Sequence, residues 1–147
     1  MKLLFKESYL AFIKNSCNTH SFRNFYAEID DKTVDIVKGG KTSCAFFVSS
    51  VLLTFGLIKA NHLTVDGLLK DMKKSGWYLI DKPLPGAVLL WEEKIGHEHT
   101  GFFIIDKKAI SNSTIKNCPV MHSFDYLGKR KIKAIYWHKR LEKNVFN

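Results

Sequence analysis

The sequence predicts an α+β domain, with N-terminal helices packed on an antiparallel sheet, and three observations predict it. Helical periodicity is confined to the first half of the chain, ending at Gly76. From Trp77 onward the texture changes to short apolar runs separated by Gly, Pro, Asp and Lys, which is the signature of strands and tight turns. No repeat, low-complexity tract or long linker separates the halves. The 147 residues therefore read as one domain, 1–147, large enough for a single core.

The elements follow in order. Residues 3–16 put Phe5, Tyr9, Phe12 and Ile13 on one helical face and Lys6, Glu7 and Lys14 in water. Asn15-Ser16-Cys17-Asn18-Thr19 closes that helix with side chains that compete for backbone hydrogen bonds. Between Ser21 and Lys38, Phe22, Phe25 and Tyr26 are aromatic anchors, Asp30-Asp31-Lys32 is a turn, and Thr33 to Val37 is a short strand. Lys38-Gly39-Gly40-Lys41 is a flexible approach to the next helix.

That helix, Cys44 to Ile58, organises the rest. It carries no charge, so the domain must enclose it on nearly every side. Thr42 or Ser43 offers the N-cap, and Gly56 marks the end. A third helix starts at the N-cap Thr64, repeats Val65, Leu68, Leu69 and Met72 at helical spacing, and stops at Gly76. Strands are expected at 77–80, 87–91, 99–105, 109–112 and 131–137.

Composition limits the function classes. Hydrophobic residues make up 46% and charged residues 25%, so no long segment needs to be disordered. A net charge of +9 points to a polyanionic partner: nucleic acid, acidic lipid or an anionic cell-wall polymer. The run 129–140 interleaves Lys and Arg with Ile, Tyr and Trp, as single-strand binders do. It reads equally as a strand with lysines at a sheet edge. The second reading makes nucleic acid an unlikely partner. The first residues lack a secretory h-region and no apolar run spans a bilayer, so a cytoplasmic protein without a membrane span is expected, and a monomer. The 3 cysteines read as thiols. Cys17/His20, Cys118/His122 and His97/His99 have spacings that pairs of zinc ligands use, but they do not assemble a recognised motif, and no metal or other cofactor is expected.

Chemistry centres on Cys44. In the first turn of a helix, unpaired N–H groups and the macrodipole favour thiolate and can receive an oxyanion. His99 opens an apolar strand at a rim, as a base would, with His97 as its rival. Asn112 lies near the end of the next strand. In a hairpin the start of one strand lies beside the end of the next, which makes His99 and Asn112 expected cross-strand neighbours and Asn112 the orienter of the imidazole. The competing reading of Cys44 is core packing.

The ordered motifs Ser43-Cys44-Ala45-Phe46-Phe47-Val48, Pro85-Gly86-Ala87-Val88-Leu89-Leu90-Trp91 and His99-Thr100-Gly101-Phe102-Phe103-Ile104 resemble those of the NlpC-type cell-wall peptidases, bacterial enzymes of the papain-like superfamily. The resemblance spans roughly residues 20 to 113. It departs from the family where Ser43, Ala45-Phe46 and Ala87 replace the family's Asp, Ser-Gly and acidic residue. It implies a papain-like thiol hydrolase that cleaves a peptide bond in peptidoglycan through a thioester, with Cys44 as nucleophile, His99 as base and Asn112 as third residue. Tyr26 and Asp35, ahead of the nucleophile, and His97, near the cleft, are weaker candidates for substrate contacts. A wall substrate would require release by lysis or a non-classical route. The alternative is a non-catalytic basic domain that binds nucleic acid or another polyanion.

Overall fold

The computed structural model describes residues 1–143 and 146. Helix α1 is Phe5–Asn15, α2 is Cys44–Thr54 and α3 is Val65–Lys74. Between α1 and α2 lies a hairpin, β1 (Tyr26–Ile29) and β2 (Lys32–Asp35). Its turn residues Asp30 and Asp31 hold φ of 50° and 60°, the left-handed pair that a two-residue hairpin turn demands. The hairpin consumes the strand expected at Thr33–Val37 and adds one at Tyr26 that the aromatic anchors concealed.

Six further strands form one antiparallel sheet: β3 (Tyr78–Leu79), β4 (Val88–Lys94), β5 (His97–Phe103), β6 (Lys108–Ser113), β7 (Cys118–Ser123) and β8 (Ile132–Trp137). Their spatial order is β3-β8-β4-β5-β6-β7. The chain is thus a mixed α+β domain, as its sequence predicts. The basic run, expected near a sheet edge, is instead an interior strand, β8, between β3 and β4. No helix among the described residues is long and apolar enough to cross a membrane.

Helix α2 ends at Thr54, one turn before Ile58, with Gly56 at φ 64°. It buries Ala45, Phe46, Phe47, Val48, Ser49, Val51 and Leu52. Phe102 of β5 meets Phe47 of α2 at 5.5 Å and Tyr9 of α1 at 6.0 Å between ring centroids, both edge-on. One face of the sheet, carrying Thr100 and Phe102, therefore packs on the helices. Alternation then sends His99, Gly101 and Phe103 to the opposite face.

That second face is covered by the chain itself. Because β7 lies at one end of the sheet and β8 near the other, residues 124–131 must cross over β6, β5 and β4. Trp91 Nε1 donates to Phe124 O at 2.7 Å, Arg130 Nε donates to Glu92 O at 3.0 Å, and Phe103 packs on Phe124. This strap keeps Trp91 fully buried and Ser111 nearly so.

Gly101 leaves no room for a side chain against β6. A Cβ there would lie 2.6 Å from Ile110 O and 2.6 Å from Ser111 Cβ. Gly101→Ala is expected to cost about 1–3 kcal/mol by overpacking, read as a lower urea midpoint. An unchanged midpoint would show that the two strands can part without penalty.

Candidate functional site

Cys44 stands at the first helical position of α2, after Ser43. Ser43 does not cap the helix with its side chain: its hydroxyl donates instead to Phe22 O at 2.7 Å. The first-turn amides consequently have no side-chain cap, and those of Cys44 and Ala45 favour the thiolate of Cys44. A third donor comes from the sheet. Strands β5 and β6 pair from Gly101↔Ser111 inward, so the sheet splays at the His99 end. Phe103 N–H bonds to Ala87 O of the β4 side, and alternation turns the Thr100 N–H the other way, into the splay. There it faces the Cys44 sulfur. The nucleophile candidate thus plugs a gap between two strands.

His99 lies on the strap-covered face, 9% exposed, stacked on Trp91 at 5.2 Å and 29°. Its Nε2 is 2.9 Å from Ser111 Oγ. The same hydroxyl lies 2.6 Å from His122 Nε2 and 3.1 Å from Tyr126 OH. Counting protons assigns the directions. His122 Nδ1 is 2.7 Å from Ser123 O, a carbonyl that only accepts, so Nδ1 carries the proton of a neutral His122 and Nε2 is bare. Ser111 spends its one proton on that nitrogen and has two lone pairs left. These accept from Tyr126 O–H and from His99 Nε2–H. His99, assigned in this way from the network, has an unprotonated Nδ1.

The electrostatics agree with neutral rings. Burial, with the charge of Arg130 and the neighbouring His122, pushes His99 down to about 3. Burial lowers His122 as well, against the opposing bond to Ser123, and it raises Tyr126. Cys44 departs from expectation. Burial raises its thiol, outweighing the amides of Thr100, Ala45 and Cys44 and the nearby Arg130, all of which favour thiolate. A helix N-terminus alone does not ionise the sulfur of this half-buried residue against the cost of desolvation. At neutral pH the pair is thiol and imidazole.

Asn112 is not the partner of His99. The register Gly101↔Ser111 sets the position opposite Thr100 at Asn112 and puts Ser111 on the His99 face. A one-residue difference reverses the face. Asn112 points to the helical side, where Nδ2 donates to Gly40 O at 2.7 Å and ties β6 to the loop before Cys44. Asp35 accepts from the N–H groups of Phe25, Val37 and Gly39 and from Asn24. It shapes the approach to α2, and these bonds, Phe25 first, hold its carboxyl below the ordinary range. Tyr26 is exposed on β1, and His97 is exposed with its carbonyl bonded to Arg130. None of these three bonds to the Ser111 cluster that holds His99. Of the residues considered for metal, His99 and His122 meet through Ser111. Among the described residues no three His, Cys, Asp or Glu side chains are grouped to hold an ion.

Ser111, His122, Tyr126 and Arg130 were not expected here. Parity along the hairpin would have found Ser111. Tyr126 and Arg130 arrive on the strap, which has no local periodicity. No family model matches the chain, and no curated protein matches it.

Two titrations follow. His99 is neutral in the fold down to about pH 3 but protonates near 6.5 when unfolded. Stability is therefore expected to fall as pH drops from about 6.5 toward 3, by up to about 1.4 kcal/mol per pH unit from this residue. Urea unfolding of His99→Gln should show a shallower slope in that window; an equal slope would mean that His99 is charged in the fold. The iodoacetamide rate at Cys44 should inflect above the free-thiol value of about 8.5, whereas an inflection below 7 would contradict a neutral thiol.

Proposed function

We propose that the chain is a cysteine hydrolase of papain-like type that cleaves an amide bond through a thioester. The observation that supports this reading best is the Ser111 network, which leaves His99 neutral with a bare Nδ1 in a site whose sulfur is ringed by amides. A strictly structural histidine gains nothing from having one nitrogen locked and the other left as a lone pair.

In this reading Cys44 Sγ attacks the carbonyl carbon as its proton passes to His99 Nδ1. The S–C bond forms, and the carbonyl electrons move to oxygen. The uncapped amide of Cys44 would receive the developing oxyanion. On collapse the C–N bond breaks, and the leaving amine takes the proton from imidazolium. Water, activated by the same Nδ1, then cleaves the thioester and releases the acid. Because the resting pair is neutral, proton transfer and attack are coupled. Ser111 is a positioning residue: through it His122 and Tyr126 hold the ring and its tautomer. A peptidoglycan-type peptide is the substrate that the motif resemblance implies. Binding to an anionic polymer through the charge of +9 remains a property that such an enzyme shares with a basic non-catalytic domain.

The test uses stem-type peptides and amine release. Cys44→Ser and His99→Ala should lose turnover while keeping the wild-type circular dichroism. Ser111→Ala should lower kcat on the order of 10–100-fold with little change in KM. Asn112→Ala should act mainly on stability, by about 1 kcal/mol. A larger kcat loss in Asn112→Ala than in Ser111→Ala would restore Asn112 as orienter. Turnover retained by Cys44→Ser would leave the basic binding domain as the reading.

A further inference from the structure

Arg130 is placed as a binding group, and its connections show how. Its Nε donates to Glu92 O and one terminal nitrogen to His97 O, each at 3.0 Å. Two backbone carbonyls at the turn end of the β4–β5 hairpin thus fix the plane of the guanidinium. Two of its five N–H donors are used, and neither acceptor neutralises its charge. The ion pairs among the described residues are His62–Asp71, Lys70–Asp66 and Lys133–Glu98, and Arg130 is in none of them. The carboxylates nearest in sequence make other bonds, Glu92 Oε1 accepting from Lys131 N and Glu98 pairing with Lys133, and neither bonds to the guanidinium. Yet the Arg130 charge reaches Cys44, His99 and Tyr126 together. An oriented, half-buried guanidinium with N–H donors to spare, its charge reaching Cys44, adds a cationic group to the site.

We propose that Arg130 forms a carboxylate-binding position beside Cys44, so that the preferred substrate carries a free carboxylate next to the amide that is cleaved. Arg suits this role because its planar fork can pair with both carboxylate oxygens. The pairing would bring the scissile carbonyl to a fixed distance from the sulfur. The substrate statement rests on the hydrolase reading; the anion position does not.

The experiment separates the two. Intact protein is alkylated with iodoacetate or with iodoacetamide, and the rates at Cys44 and Cys17 are read by peptide mapping. The two reagents share one reaction at sulfur and differ in the carboxylate, so the ratio of their rates cancels thiolate content. The iodoacetate-to-iodoacetamide ratio at Cys44 is expected to exceed that at Cys17 by about tenfold. Arg130→Gln should bring the two ratios together, and Arg130→Lys should keep part of the difference. Equal ratios in the wild-type protein overturn the proposal even if Arg130→Gln fails to fold, and so does a ratio at Cys44 that Arg130→Gln leaves unchanged. Two peptide pairs identify the source of the carboxylate: a C-terminal acid against its carboxamide, and Glu against Gln beside the scissile bond. A preference of about tenfold that Arg130→Gln abolishes marks the source, and cleavage of both pairs without preference overturns the substrate claim. Selective iodoacetate labelling without any peptide cleavage supports the anion position and rejects the hydrolase.

Discussion

One hydroxyl, Ser111 Oγ, is shared by three partners, and the chemistry available to this fold depends on how its single proton is spent. A buried hydroxyl can donate once and accept twice. With His122 as acceptor, the roles of Tyr126 and His99 as donors follow without further choice. Each member of the cluster is supplied by a different piece of chain: β5, β6, β7 and the strap. Replacing any of them leaves a buried polar group short of a bond, which makes such a cluster costly to disturb and narrow in its geometry.

Enclosure works in two directions at this site. It keeps His99 neutral and its lone pair available, and it also keeps Cys44 protonated despite the amides of α2 and Thr100. Both groups are therefore neutral at rest, and the Arg130 charge bears on each of them. Desolvation exceeds the dipole because the sulfur plugs the splay between β5 and β6 and does not sit at a free helix end. A ligand that enters with negative charge would shift that balance by occupying Arg130.

Much of the fold was legible because its elements are marked locally. Thr64 caps α3 through Gly67 N–H at 3.1 Å as its position suggests, and the uncharged run from Cys44 is a buried helix. The hidden strands had no such marks. Tyr26–Ile29 mixes aromatic and acidic residues on an exposed hairpin. Cys118–Ser123 contains a proline, which argues against a strand except at an edge, and β7 is an edge. Of the candidate site, Cys44 was legible as a helix start, whereas His99, expected to open its strand, lies two residues inside β5, which begins at His97. Asn112 was chosen by proximity along a hairpin, but sheets are read by parity, and one residue separates the His99 face from the helical face. The strap residues were out of reach, since what they touch is decided by a crossing over three strands.

The central claim is that His99 is a neutral ring protonated at Nε2, held so by Ser111. Long-range proton–nitrogen correlation NMR of uniformly nitrogen-15-labelled protein at pH 7 tests it most directly, with Ser111→Ala used to assign the ring. The account predicts a His99 ring with a protonated Nε2 and a pyridine-like Nδ1, unchanged down to pH 5. A ring protonated at Nδ1, or an imidazolium pattern at pH 7, would contradict it.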